Sequence, residues 1–400
     1  MTCPESGVRK AVLTRTGWPS AGLEQVARTA AVTTFTLGIT LGEASAAATE
    51  AADMSSSASE DADEESSSGF GITPFGGITY SPETSLMFGA VAIAYYAHPP
   101  EAKRRDSKLM LALAYSLRQQ AAVLLGGDSY LLDDRLSVES TVSYSRFPDS
   151  FFGVGNDTRL DDEERYTAIL AELRFLPKWR VLPRLYLGPG ARLYVVRIQE
   201  VESGGLLDHG SYRGHEGGHV MELGVGAVYD SRDNTLNPHA GVHVQLTPRI
   251  SAPELGSDYR STTTILDARG YIGLQPPNHI LALRGYAEYR TGRPPFFDLG
   301  RLGGDQLLRG HFQGRYRDRQ LLAVQAEYRL RVYGRFGMVG FGGLGEVAPQ
   351  VSDFELGAIR PSVGGGLRFA PSSAAPVNIR LDFAWAGDQS GFYLNVGEAF

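Results

Sequence analysis

From residue 70 to the end of the chain, apolar and polar residues alternate over long stretches. Within 319–333, every second position from Leu322 to Val332 is Leu, Val, Ala or Tyr, and most positions between them carry Gln, Glu or Arg. The segments 281–290 and 377–385 alternate in the same way. A period of two indicates β-strands that present one apolar face and one polar face.

Clusters of Pro, Gly, Asn, Asp and Ser interrupt the alternation and predict turns between strands. They lie at 99–105, 147–150, 176–183, 231–238, 275–278 and 370–376. The alternating stretches predict sixteen strands, at 70–81, 85–97, 107–118, 119–130, 135–147, 164–176, 184–200, 218–231, 240–251, 260–274, 279–292, 319–333, 335–347, 359–370, 376–386 and 391–400.

The length, number and charge of these strands favour a membrane barrel. A tilted strand needs about 9–11 residues to cross a bilayer, and single-chain bacterial barrels have an even strand count. We therefore predict an all-β fold, a 16-stranded antiparallel transmembrane β-barrel over residues 70–400, with both termini on the periplasmic side. Residues 293–318 are then the longest extracellular connection. The alternative is a soluble all-β binding protein built as a sandwich.

Composition agrees with a barrel in outer-membrane lipid. The chain has 48 Gly, 19 Tyr and 18 Phe, and its mean hydropathy is −0.16. No window holds the roughly 18 apolar residues of a membrane-spanning helix, whereas alternating strands average near neutral. The net charge of −7 and the lack of a dense basic run exclude nucleic acid as an expected partner. Cys3 is the single cysteine, so no intramolecular disulfide forms.

The first 69 residues differ from the rest. Residues 1–48 form a predicted leader, in which an apolar stretch at 29–41 follows Arg28 and precedes alanines with A-x-A spacing. This pattern indicates a signal segment, with a true start near Val26, or else a disordered leader. Residues 49–69 are acidic and Ser-rich, which predicts a disordered linker that serves as a tether or as an acidic binding tail.

The connection at 293–318 carries a specific motif. Leu302-Gly303-Gly304 precedes the tip Leu308-Arg309-Gly310-His311, and a basic run at 314–318 enters the next strand. This pattern resembles the BamA/TamA family of outer-membrane assembly proteins, also called bacterial surface antigen barrels. His311 stands where that family usually has Phe or Tyr.

Other segments resemble the same family: 80–85, 151–157, 229–241 and 380–400. The resemblance therefore spans about 70–400. It implies a barrel-only member without periplasmic domains, in the outer membrane of a Gram-negative-type bacterium.

The resemblance also implies a site. In the family the long loop folds back into the barrel, and its arginine pairs with acids on the inner wall. Glu327 matches the usual partner of Arg309. The family's second acid is replaced here by Gly343, which leaves Glu346 or Asp382 as candidate substitutes. The alternative is that Arg309 is a solvated loop residue.

The end of the chain is a second candidate site. Barrel precursors end in an aromatic strand that pairs with the assembly machinery by strand addition. The predicted signal consists of residues on one outer face, interrupted by Glu398: Phe392, Leu394, Val396 and Phe400.

These features together predict a function at the outer membrane. The resemblance implies a barrel that aids insertion or transport of client proteins or lipids at the outer membrane. The alternative is a passive pore or structural barrel. No enzyme, cofactor or metal is expected, because the histidines at 215, 219, 239 and 243 lack the helical spacing of a zinc site.

Overall fold

The computed structural model describes residues 69–97, 107–235, 237–275, 278–371 and 377–400. The predicted leader at 1–48 lies outside the described residues, as does the predicted linker at 49–69 except for its last residue, which begins the first strand. Within these ranges, no helix has the length and apolar character needed to cross a membrane.

Eighteen strands are present in the described part of the chain. They are β1 (Gly69–Ser81), β2 (Ser85–Ala97), β3 (Ser107–Ser116), β4 (Ala121–Leu131), β5 (Leu136–Phe151), β6 (Glu164–Leu182), β7 (Leu185–Gln199), β8 (Gly217–Asp230), β9 (Gly241–Ser251), β10 (Ser261–Gln275), β11 (His279–Gly292), β12 (Gly300–Leu302), β13 (Tyr316–Asp318), β14 (Gln320–Tyr333), β15 (Phe336–Ala348), β16 (Arg360–Phe369), β17 (Ile379–Ala386) and β18 (Gln389–Val396).

Sixteen of these described strands close into one antiparallel barrel, which confirms the predicted fold. Each pairs with its neighbour in sequence, except that β14 follows β11 in the wall. The short strands β12 and β13 form a separate sheet inside the β11–β14 connection. β18 pairs with β1 and closes the wall.

The barrel turns its apolar side chains outward. Val324 on β14 is 49% exposed, whereas Glu327 on the same strand is fully buried. A water-soluble barrel would show the opposite arrangement, because exposing so much apolar surface to water is unfavourable. The outer surface therefore suits lipid, and the charged lumen holds the polar contacts.

Two predicted turns are wrong. Residues 147–150 continue β5 to Phe151, and residues 176–183 continue β6 to Leu182. Both turns were predicted from a proline, because proline has no N–H group to donate to a neighbouring strand. Pro148 lies past the end of the β4–β5 pairing, and Pro177 lies where the β6–β7 pairing is interrupted. Neither position needs the missing N–H group.

The predicted C-terminal face is wrong for its last residue. Phe392, Leu394 and Val396 lie on one side of β18, and Phe392 and Val396 are exposed. β18 ends at Val396, and Phe400 is buried against Tyr271 and Ala282.

Inward-facing arginines explain the turn of the tail. Arg329 donates a hydrogen bond to the backbone oxygen of Phe400 at 2.6 Å. Arg368 contacts Glu398 at 2.8 Å, so the acid that interrupts the apolar pattern is drawn into the charged lumen.

Candidate functional site

The β11–β14 connection (residues 293–319, the inner loop) enters the barrel. At its start, Phe296 and Phe297 are buried in a cluster with Phe151, Tyr166 and Tyr194. Further on, a second buried group joins the loop to β11, β14 and β15; its members are Tyr286, Leu302, Leu308, Tyr316, Leu321, Ala323 and Val347. Burial of these apolar side chains holds the loop against the wall from both ends.

The backbone of the tip (residues 308–313, the loop tip) explains its glycine. Gly310 has φ +105°, a backbone conformation that residues other than glycine rarely adopt. A Cβ atom at this position would lie 2.9 Å from the Cβ of Ala386 and 3.1 Å from the carbonyl carbon of Trp385. Glycine therefore lets the tip press directly against β17.

Arg309 is buried at the centre of the site, with 1% of its surface exposed. Its Nη1 atom donates to Asp382 Oδ2 at 2.5 Å, and its Nη2 atom contacts Glu327. The guanidinium carbon lies 3.5 Å from the ring centre of Phe341. Arg309 is thus a buried ion-pair partner in this structure and not a solvated loop residue.

The three candidate partners have different surroundings. Glu327 and Asp382 contact Arg309. Glu346 instead accepts a hydrogen bond from the backbone N–H of Glu355 at 3.0 Å. A carboxylate from β17 therefore stands with Arg309 where the resemblance leads one to expect an acid on β15.

Gly343 shows why β15 carries no acid. A Cβ atom at Gly343 would lie 2.9 Å from Leu308 Cδ1 and 3.0 Å from Gln325 Cγ. The space that an aspartate would need is occupied by Leu308 of the loop tip.

The pair belongs to a larger charge network in the lumen. Arg329 contacts Glu327 at 3.0 Å, and Arg368 contacts Asp382 at 2.5 Å. Arg380 contacts Asp305 of the inner loop at 2.7 Å. When Arg309 and Glu398 are counted as well, the network contains four arginines and four acids, so its buried charges are balanced.

The loop tip contacts both sides of the closure between β1 and β18 (the seam). Gly310 N donates to the Tyr393 hydroxyl at 3.0 Å, and Phe312 N donates to Gln389 Oε1 at 3.2 Å, both on β18. Gln313 N donates to Glu83 Oε1 in the β1–β2 turn at 2.9 Å. The tip therefore joins the first hairpin to the last strand.

The seam itself is poorly paired. Among the described residues, β1 and β18 are in register at one pair, Tyr80 and Leu394. By contrast, β1 and β2 pair at thirteen successive positions, from Gly69 with Ala97 to Ser81 with Ser85.

Comparison with known proteins identifies the family. The model of the Omp85 superfamily domain matches residues 106–400, nearly three quarters of the chain. This chain belongs to the Omp85 superfamily. It is an outer-membrane β-barrel protein of the Gram-negative type. A search of curated proteins gave no match.

Solved structures share the fold of this Omp85 barrel at low identity. BamA from Haemophilus ducreyi lacking POTRA domains 1-3 has 17% identity and a TM-score of 0.56, over 83% of this chain and 70% of that one. CdiB from Acinetobacter baumannii has 11% identity and a TM-score of 0.54, over 82% and 60%. CdiB from Escherichia coli has 10% identity and a TM-score of 0.56, over 83% and 68%.

Several residues that contact the inner loop of this Omp85 barrel were not predicted from the sequence. Arg301 contacts Asp149 at 2.8 Å, and Arg317 donates to Ser150 O at 3.2 Å. Arg315 donates to Thr158 Oγ1 at 2.6 Å. The basic run at 314–318 was a usable signal, because buried arginines need acceptors. Asp149 and Ser150 were overlooked because residues 147–150 resemble a turn.

Proposed function

We propose that this Omp85 barrel aids the insertion or transport of proteins or lipids at the outer membrane by opening at the seam. The observation that carries the proposal is the short pairing between β1 and β18, at Tyr80 and Leu394, bridged by the loop tip. Separating β1 from β18 breaks fewer backbone hydrogen bonds than separating two fully paired neighbouring strands would.

The loop tip is held more strongly on one side of the seam. Arg309 ties it to Glu327 on β14 and Asp382 on β17 through buried ion pairs. The contact to the other side is the hydrogen bond from Gln313 N to Glu83. Opening would therefore break the Glu83 contact first and leave the tip attached to the β14–β18 wall.

Glu83 is in turn fixed to its own side. Its side chain is buried, and its backbone oxygen accepts a hydrogen bond from Gln120 Nε2 at 2.9 Å. Gln120 Nε2 also donates to Pro148 O at 3.1 Å. The β1–β2 turn would consequently move together with the β3–β4 turn and β5.

The proposed partners follow from this reading. Client chains or lipids would meet the edges of β1 and β18 by strand addition or through the opened wall. Assembly machinery would recognise the outward face of β18 at Phe392, Leu394 and Val396. Residues 1–48 would direct export, and 49–69 would tether the barrel. The proposed function involves no catalytic step and no cofactor.

A passive pore is the second candidate. It is favoured by a cavity of about 190 Å³ that remains beside the inner loop in the lumen. Such a barrel would conduct small solutes around the loop without opening its wall.

Depletion of the protein from the bacterium that produces it distinguishes the two. The proposal predicts that the levels of other outer-membrane proteins, or of surface lipids, fall and are restored by the wild-type gene. Normal levels after depletion, together with steady conductance of the purified full chain in planar bilayers, would establish the passive pore instead.

A further inference from the structure

The last four residues of the chain (397–400, the C-terminal tail) leave the barrel wall and enter the lumen. β18 ends at Val396, and Gly397 follows with φ +89°, so the chain turns away from the direction of the strand. Ala399 and Phe400 are then buried, with 2% and 3% of their surfaces exposed. The chain therefore ends inside the barrel and not along its lipid-facing side.

Phe400 occupies a pocket formed by Tyr271, Ala282 and Arg329 (the terminal pocket). Its ring packs in a buried cluster with Tyr271 on β10 and Ala282 on β11. Arg329 on β14 donates from Nη2 to the backbone oxygen of Phe400 at 2.6 Å, and its guanidinium carbon lies 5.7 Å from the centre of the ring. The pocket thus combines apolar surface for an aromatic ring with a cation for the carboxylate that only the last residue of a chain carries.

Arg329 has a donor to spare for this carboxylate. Its Nε atom donates to Glu327 Oε2 at 3.0 Å, but its Nη1 atom is buried and has no hydrogen-bond partner among the described residues. Buried donors are normally satisfied, and a guanidinium binds a carboxylate most strongly when two of its N–H groups donate in parallel. The two Nη atoms of Arg329 therefore match the two oxygens of a free terminal carboxylate.

Side-chain contacts hold the middle of the C-terminal tail. Glu398 accepts hydrogen bonds from Arg368 Nε at 2.8 Å and from Asn378 Nδ2 at 2.7 Å. The pairing of β17 with β18 has already ended at Ile379 and Val396. Release of the tail consequently leaves the wall intact and vacates the terminal pocket.

The tail turns inward at the periplasmic end of the seam. When the register of Tyr80 with Leu394 is continued, the last residue of β18, Val396, comes opposite Ile78 of β1. Residues 69–77 of β1 therefore have no strand partner on this side within the described part of the chain. An extended polypeptide that pairs antiparallel with this free edge runs in the same direction as β18, so its end points to the same side as the tail.

We propose that the terminal pocket binds the last residue of a second polypeptide, one that ends in an aromatic residue with a free carboxylate, in exchange for Phe400. The inference rests on the proposed function, because it names the part of a client chain that the barrel recognises. Exchange of the tail would also affect the inner loop, since Arg329 and Arg368, which hold the tail, contact the two acids that pair with Arg309.

The test measures binding of a short peptide to purified protein refolded in detergent. The probe is Gly-Glu-Ala-Phe, the sequence of the tail, with a fluorophore on its amino end, and fluorescence anisotropy reports its binding. A chain that ends at Val396 should bind the free acid saturably. The peptide amide should bind about tenfold or more weakly, because a charge-assisted contact is lost. The full-length chain should also bind the acid about tenfold or more weakly, because Phe400 occupies the pocket.

Two substitutions in the shorter chain locate the site. Arg329→Gln should remove the preference for the acid over the amide. Arg331→Gln is the matched control and should keep that preference, since Arg331 is exposed and donates to the backbone oxygen of Gly334.

A peptide of unrelated sequence tests whether the pocket accepts a foreign chain. When it ends in Phe, it should bind within about tenfold of the tail peptide, and when it ends in Ala, about tenfold or more weakly, because the aromatic ring is no longer buried. Binding of the tail peptide alone would limit the pocket to its own tail and overturn the proposal.

Heat-modifiable electrophoretic mobility checks that each protein is folded. If the chain that ends at Val396 does not fold, Phe400→Ala in the full-length chain takes its place, with the same expected preference for the acid. The comparison of acid with amide decides the question if Arg329→Gln does not fold. Equal affinity for acid and amide would overturn the proposal, as would an unchanged preference in Arg329→Gln. Because these measurements use purified protein, their failure is distinct from normal outer-membrane protein levels after depletion, which would contradict the proposed function.

Discussion

Arg309 joins three strands through one side chain. Its guanidinium contacts Glu327 on β14 and Asp382 on β17, and it lies over the ring of Phe341 on β15. A planar group with several donors suits this task better than lysine would. The network also explains why the loop can stay inside the lumen, because each buried charge has a partner of opposite sign.

Replacing Arg309 should destabilise the barrel. Arg309→Met leaves Glu327 and Asp382 buried with fewer positive neighbours, and breaking a buried pair typically costs about 3–5 kcal/mol. Urea unfolding of the purified protein in detergent measures the change. Arg331→Met, at an exposed arginine near a hairpin turn, is the matched control and should stay within about 0.5 kcal/mol of the wild type. Equal effects of the two substitutions would refute the brace.

Restoring the family's acid on β15 should harm this chain. Gly343→Asp places a side chain against Leu308 and Gln325, and overpacking of this kind costs about 1–3 kcal/mol. The double variant Gly343→Asp with Leu308→Ala should recover part of the loss, because the smaller residue makes room. A double-mutant cycle on unfolding free energies tests the coupling, and strict additivity would contradict the steric account.

His311 should make the loop tip sensitive to acid. Burial lowers the pKa of His311 to about 4, with Arg360 and Arg315 adding to the effect. The unfolded chain has a pKa near 6.5 and so binds the proton more readily. The contribution of His311 to the free energy of unfolding is therefore fully present above about pH 6.5. It falls by about 3 kcal/mol in all as the pH drops toward 4.

The pH dependence of urea unfolding measures this effect. His311→Phe should make the free energy of unfolding less dependent on pH between about 6.5 and about 4. The electrophoretic mobility of the folded protein should stay unchanged. A curve of unchanged slope in that variant would assign the acid sensitivity to other groups.

At this scale the sequence predicts chemistry better than geometry. The motif around Arg309 pointed to Glu327, and both residues meet in the lumen. The choice between Glu346 and Asp382 was left open, since both are acids on predicted strands. Only the three-dimensional position of the loop tip beside β17 separates them.

The strands are the elements that the sequence predicts most closely. The prediction for 85–97 equals β2, and that for 279–292 equals β11. Alternation works because lipid outside and charge inside impose a strict period of two. It fails at the β5 and β6 ends, where each proline is paired with a neighbouring strand on one side only.

The tail after β18 behaves as a separate element, and its orientation can be tested. In a Cys3→Ser background, a fluorophore at Val396→Cys should be quenched by lipids that carry nitroxide groups. The same label at Phe400→Cys should be protected, because Phe400 is buried against Tyr271 inside the wall. Equal quenching at both positions would show that the tail continues along the lipid-facing side.

The whole molecule places different features on the two sides of its lumen. The loop tip and its charge network belong to β14–β18, next to the seam. The arginine-lined cavity lies between the β6–β11 wall and the inner loop, and Gln313 of the loop tip is part of its lining. Motion at the seam would leave the strand pairing of β6–β11 intact.

The overall architecture followed from the sequence, but the seam did not. Strand number and closure were predicted from alternation and an even count, and sixteen strands close the wall in the described part of the chain. The weak pairing of β1 with β18 depends on their lengths and register, which alternation does not specify.

Locking the seam tests whether the barrel works by opening between β1 and β18. A disulfide between Tyr80→Cys and Leu394→Cys, in the Cys3→Ser background, joins the pair that is in register across β1 and β18. The matched control joins Leu111→Cys to Leu125→Cys, an outward-facing pair across β3 and β4. Each protein is tested for restoring outer-membrane protein or lipid levels in depleted cells.

We predict that the oxidised seam variant fails to restore these levels, that a reductant recovers its activity, and that the control works in both states. Full activity of the oxidised seam variant, with the cross-link verified on gels, would contradict a function that depends on opening at the seam.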